Sequence, residues 1–138
     1  MSENNKDVER TAGKSNGGSN GHSKSSAKHH FLCVGIGASA GGVKALQDFF
    51  EIMPANSGMA FVVILHLAPA HESNLAAILQ SKTTMPVVQV NETHKVEPDH
   101  VYVISPNQHL AMTDGVVRSV EPETNQGSRA AIDVFFRT

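Results

Sequence analysis

From Phe31 onward the apolar residues fall into short blocks whose spacing switches between two periods, and that switching outlines the fold. Phe31 to Val34 reads as a strand, and it runs into the small-residue segment Gly35-Ile36-Gly37-Ala38-Ser39-Ala40-Gly41-Gly42. Val43, Leu46, Phe49, Phe50 and Met53 then recur at helical spacing, and Pro54 ends that helix. Met59 to Leu65 is continuously apolar, rich in β-branched residues and too short for an independent helix, which predicts a strand buried on both faces with His66 at its carboxyl end. Ser73 can cap a second helix on which Leu75, Ile78 and Leu79 share a face, and Val87–Val90 reads as a third strand. Val101–Ile104 is a further strand. Leu110–Thr113 and Val116–Ser119 flank Asp114-Gly115, a strong hairpin signal. Glu121 to Arg129 reads as a polar loop, and a last helix opens at Ala130 and is still running at Arg137.

The β-α-β-α-β order with short connections implies a parallel sheet, right-handed crossovers and helices on the sheet faces. The expected class is α/β, a three-layer doubly wound and mostly parallel sheet, with a β-hairpin near residues 110–119. On such a sheet, ligands and catalytic groups collect at the carboxyl ends of the strands. Ser39 and His66 both occupy such ends, on consecutive strands.

Composition divides the chain. Residues 1–30 are dominated by Ser, Asn, Gly and Lys and hold almost no large apolar side chains, so burial cannot offset the entropy of ordering them; they read as a disordered tail, with residues 31–138 as the folded domain. The tail lacks the continuous apolar core of a secretory signal, and no segment approaches the roughly 20 apolar residues that span a bilayer. A cytoplasmic protein without direct membrane insertion is expected. Cys33 is the single cysteine, which excludes an internal disulfide and fits a reducing compartment. Residues 1–30 carry five Lys/Arg against three Asp/Glu, and the remainder six against ten, so neither part has the basic stripe of a nucleic-acid binder.

Two motifs compete for the same glycines. Gly35 to Ala40 satisfies the dinucleotide loop G-x-G-x-x-G/A, but the second strand ends in Leu65-His66-Leu67 where a ribose-binding acid is wanted. Gly37-Ala38-Ser39-Ala40-Gly41 satisfies G-x-S-x-G, in which small neighbours let the chain turn sharply under a nucleophilic serine. Ser39 can equally serve as the cap of the following helix. His66 adds weight to the nucleophile, because a serine hydroxyl needs a base and imidazole titrates near neutrality. Among Asp48, Asp99, Asp114 and Asp133 no obvious third member stands out, and Asp133 reads as a favourable helix N-terminal charge. The remaining histidines show no metal-ligand spacing.

With these residues in hand, the chain resembles the catalytic domain of CheB, the protein-glutamate methylesterase of bacterial chemotaxis. The resemblance runs from about Phe31 to Thr138 and rests on Ile36 to Gly42, the strand ending in His66 followed by Pro69, Val101 to Pro106, and Ile132-Asp133-Val134-Phe135-Phe136-Arg137. The stretches His71 to Leu75 and Met85 to Val90 look especially like the methylesterase part of CheB–CheR fusion proteins. The resemblance implies a serine hydrolase that removes methyl groups from glutamate γ-methyl esters of chemoreceptors, and in some members deamidates glutamine. It assigns Ser39 as nucleophile and His66 as general base, needs no cofactor or metal, and names chemoreceptors, with a CheR-type methyltransferase, as partners. In the family the triad aspartate lies in a later glycine-rich segment, expected beyond the end of this chain, and Asp133 matches a non-catalytic position. The domain is therefore expected to be incomplete at its C-terminus and to lack a receiver domain. The rival expectation is a catalytically impaired signalling or binding module built on the same domain.

Overall fold

A computed structural model of the chain describes residues 30–66, 74–122 and 130–138. The tail before His30, the cap assigned to Ser73, the family positions Pro69 and His71, and most of the polar loop ahead of the last helix lie outside those residues. In chain order the elements are β1 (Cys33–Ser39), α1 (Val43–Ile52), β2 (Ala60–His66), α2 (Leu75–Gln80), β3 (Val87–Val90), β4 (Thr93–Lys95), β5 (Val101–Ile104), β6 (His109–Thr113), β7 (Val116–Val120) and α3 (Ala130–Phe136). They make a four-stranded parallel sheet in the order β1-β2-β5-β3 and a three-stranded antiparallel sheet in the order β4-β7-β6.

Strand alternation divides the residues of the parallel sheet between two faces. On one face, Phe61 of β2 meets Phe49 and Phe50 of α1, with ring centroids 5.9 and 5.4 Å apart in edge-to-face geometry. α2 packs beside α1, and Lys82 just beyond α2 reaches Glu51 of α1 at 3.6 Å. On the other face, α3 covers β1 and β2 and touches β6. Thr138 ties the end of α3 to the antiparallel sheet, its Oγ1 accepting a hydrogen bond from the Met112 N–H at 3.1 Å. The result is three layers, with β2 and β5 at the centre. From Ala60 to Leu65 every residue of β2 is buried, as expected for a continuous apolar run. Phe50, Phe61, Ile64, Leu75, Leu79, Met85 and Leu110 are fully enclosed.

Most of the expected elements form where the periodicity puts them, and the hairpin pairs Leu110 with Ser119 and Thr113 with Val116. Asp114 and Gly115 both take positive φ, 52° and 76°, the two-residue turn whose twist matches antiparallel strands. Two features differ from expectation. First, β1 does not stop near Val34 but continues through both glycines to Ser39, because the ladder to β2 remains in register over its whole length. Second, β4, whose middle residue His94 pairs with Val117, extends the hairpin into a sheet. At three residues, Thr93-His94-Lys95 is too short to show a period, and only its partner makes it a strand.

Gly35 and Gly37 set the distance between α3 and the sheet. A Cβ on Gly35 would lie 2.9 Å from Phe136 Cε1 and 3.0 Å from Phe135 Cε1, and one on Gly37 would lie 3.1 Å from Ile132 Cγ2. Such overlap forces the helix outward, and overpacking of this kind costs about 1–3 kcal/mol. Gly35→Val is therefore expected to lower stability by about that amount in urea unfolding. Gly41→Ala, whose Cβ would meet only the Ser39 hydroxyl at an ordinary 3.7 Å, is expected to be neutral or slightly stabilising in the same assay.

Candidate active site

β1 and β2 end level with one another. Their register runs from Cys33 opposite Ala60 to Ser39 opposite His66, so the serine and the histidine are the last pair of the ladder. Register partners on adjacent parallel strands project from the same face, and neighbouring strands lie about 4.8 Å apart. Ser39 is exposed and His66 half-buried. Both stand on the face that carries Gly35 and Gly37, the α3 side of the sheet.

Local geometry separates the three roles open to Ser39. It occupies the cap position of a single 3-10 turn, Ala40–Gly42, that leads into α1, yet its side chain makes no capping hydrogen bond. Its backbone is relaxed and extended, φ −86° and ψ 170°, so the strained turn associated with G-x-S-x-G nucleophiles is absent here. The dinucleotide reading loses its physical basis. Gly35 and Gly37 face Phe135, Phe136 and Ile132, so the space their missing side chains leave is filled by α3. The first N–H groups of the turn and of α1 follow Ser39 directly, and such groups have no partner within their own helix.

Several other ionisable residues stand elsewhere in the fold. Asp48 pairs with Lys44 on the exposed side of α1. Asp99 caps the opposite end of the sheet, its Oδ1 accepting from the Gly58 N–H at 2.7 Å. Asp114 forms the hairpin turn, and Asp133 is exposed in the first turn of α3. His100 stacks on Tyr102 at 6.1 Å, and Tyr102 in turn accepts from the Glu97 N–H and donates to Lys95 O. His109 is buried in β6. Cys33 packs its sulfur 3.7 Å from Met112 Sδ, and burial pushes its thiol pKa up, the behaviour of a structural rather than a reactive cysteine. Among the described residues no three His, Cys, Asp or Glu are grouped so as to hold a metal ion. Nor is any described helix long and apolar enough to cross a membrane.

The carboxyl rim also carries a feature that sequence reading passed over. Residues just beyond β3 and β5 line an open cleft of about 490 Å³, formed by Asn91, Ser105, Pro106, Gln108, Ser119 and Glu121. Asn91 and Ser105 directly follow their strands, the positional argument that singled out His66, so they could have been found the same way. They were not, because Asn and Ser after a strand are also ordinary turn residues.

These features define a class: a three-layer α/β domain with a serine and a histidine paired at the carboxyl ends of adjacent parallel strands. The CheB methylesterase family model matches residues 34–138, and the chain belongs to that family. A protein-glutamate methylesterase/protein-glutamine glutaminase of Methanosarcina acetivorans is 32% identical over 113 residues, covering 76% of this chain and 32% of its own length. A putative enzyme of the same description from Leptospira interrogans is 27% identical over 110 residues, covering 79% of this chain and 57% of its own length. The crystal structure of the Thermotoga maritima CheB methylesterase catalytic domain is similar with a TM-score of 0.66 and 26% identity, over 77% of this chain and 58% of that one. The chain thus spans between about a third and three fifths of the length of these relatives.

If the Ser39 hydroxyl does not cap the helix, its loss is structurally silent. Ser39→Ala is expected to change unfolding free energy by less than about 0.5 kcal/mol, against the ~1 kcal/mol that removal of a working cap costs, a difference that urea titration resolves.

Proposed function

We propose that this chain contributes the nucleophile and general base of a protein-glutamate methylesterase acting on methylated chemoreceptors in the cytoplasm. What carries the reading is the pairing of Ser39 with His66 at the end of a parallel ladder, with a serine hydroxyl not committed to capping. In this mechanism Ser39 Oγ attacks the carbonyl carbon of a glutamate γ-methyl ester while His66 takes its proton. The oxyanion that develops faces the N–H groups that open the 3-10 turn, where a preorganised donor is worth far more than in water. Collapse of the tetrahedral intermediate breaks the carbon–methoxy bond, and His66 returns the proton to leaving methanol. Water activated by His66 then releases glutamate from the acyl-enzyme. A glutamine side chain would follow the same course with ammonia as leaving group.

The third member of such a triad orients the histidine and supports its positive charge. We assign that role to an aspartate in the glycine-rich segment that the family places after this region, not to Asp133. A methyltransferase of the CheR type, whose product is this reaction's substrate, is the partner enzyme that completes the cycle.

Two measurements test the proposal. A serine-directed covalent probe is expected to label the chain, and labelling is expected to vanish in Ser39→Ala; labelling that survives the substitution, or never occurs, removes the esterase reading. Methanol release from a peptide carrying a glutamate γ-methyl ester is expected to fall to the same residual level in Ser39→Ala and in His66→Ala, because members of such a unit fail together.

A further inference from the structure

β1 ends the parallel sheet on one side, and among the described residues no strand pairs with its outer edge. The Leu32 carbonyl accepts from the Ala60 N–H, so Val34, Ile36 and Ala38 also turn their backbone groups toward β2. Those of Cys33, Gly35, Gly37 and Ser39 therefore point outward. The opposite edge is treated differently. Pro86 O faces β5, and the outward N–H of the next residue, Val87, donates to Gln80 Oε1. β1 has none of the usual protections of an edge: it carries no charge, no proline and no break in register. Each of its residues keeps some exposure, whereas Ala60 to Leu65 of β2 are all buried.

The helix beside that edge completes the surface. Ile132 lies over Gly37 and Phe136 over Gly35, so α3 runs antiparallel to β1. Phe135 is buried, whereas Phe136 against the same glycine is 58% exposed, which puts Phe136 on the outer side of β1. Asp133 shares a helix face with both Phe136 and Arg137, three and four residues on, and all three are exposed. The stripe thus carries an acid toward the carboxyl end of β1 and a base toward its amino end. Turned end for end, such a stripe is complementary to itself.

We infer that a second copy of this chain pairs with β1 edge to edge and antiparallel, about a two-fold axis at Ile36. In that register all seven residues of β1 are paired: Ile36 faces its counterpart, Gly35 faces Gly37 of the second copy, and Cys33 faces Ser39. The outward groups are then the ones that exchange hydrogen bonds, and glycine opposite glycine puts no side chain in the way. An axis at any other residue of β1 leaves some outward groups unpaired. The two α3 helices come side by side on one face of the joined sheet, where each Phe136 is covered and Asp133 of each copy meets Arg137 of the other. Because the paired strands run in opposite directions, the two serine–histidine pairs stand at opposite rims and both stay open. The inference does not depend on the esterase reading.

The association state of the full chain tests it. One strand and one helical stripe make a small interface, so sedimentation equilibrium is expected to give a dimer with a dissociation constant of about 1–100 μM. As concentration rises through that range, the Gly35 and Gly37 amides are expected to gain hydrogen-exchange protection. Asp133→Arg and Arg137→Asp each set like charges together at both symmetry-related contacts, and each variant alone is expected to associate at least about 10-fold more weakly. Mixed in equal amounts, the two variants oppose acid to base at both contacts and are expected to associate within about 3-fold of the wild type. A chain still monomeric at about 500 μM, a dimer whose Gly35 and Gly37 amides exchange freely, or variants that associate no better mixed than apart overturns the inference.

Discussion

The parallel ladder between β1 and β2 is the constraint on which the rest of the molecule depends. It pairs seven consecutive residues, from Cys33 with Ala60 to Ser39 with His66. Because side chains alternate strictly along a strand, a slip of one residue would turn the serine and the histidine to opposite faces. Register is fixed by what each face must bury. Phe61, Val63 and Leu65 go beneath α1 and α2, while Val62 and Ile64 go beneath α3 and the antiparallel sheet. A continuous apolar β2 satisfies both layers at once, and His66 is the first residue of β2 beyond them.

The glycines of β1 belong to this packing as much as to any chemistry. Gly35 and Gly37 alternate on the α3 face, and Phe135, Phe136 and Ile132 fill the space that side chains there would need. The close approach brings the α3 layer down onto the strand that carries Ser39. It also explains how one short segment satisfies two sequence motifs without serving both. Glycines that let a helix approach a strand and glycines that let a phosphate approach a backbone look alike in sequence, since each requires only a missing Cβ. Which atom occupies the vacancy is a tertiary matter, and here it is carbon from α3.

The candidate site lies along one rim for a topological reason. Inserting β5 between β2 and β3 brings the carboxyl end of β5 beside that of β2. The serine–histidine pair then stands at the ends of β1 and β2, and the cleft lies on the other side, beyond β3 and β5. The first side has a hydroxyl and an imidazole, groups suited to moving protons. The second has serine hydroxyls within hydrogen-bond distance of two carboxamides. Membership of the CheB methylesterase family accords with this arrangement without specifying the second side.

The sequence alone determined a great deal. Periodicity located α1, β2, β3, β5 and the hairpin, because each buries a stripe or a face whose spacing is written locally, and Asp114-Gly115 declared its turn through the positive φ that few residues accept. It singled out Ser39 and His66 as groups at strand ends. Tertiary structure decided what no local pattern encodes: that β1 continues to Ser39 and so aligns with His66, that β5 enters between β2 and β3, that Thr93–Lys95 becomes a strand because β7 is beside it, and that Asn91 meets Ser105 across the rim. The division follows from the physics. Burial and turn strain act between near neighbours in the chain, whereas register, strand order and the filling of a glycine's empty face are set only when distant segments compete for the same space.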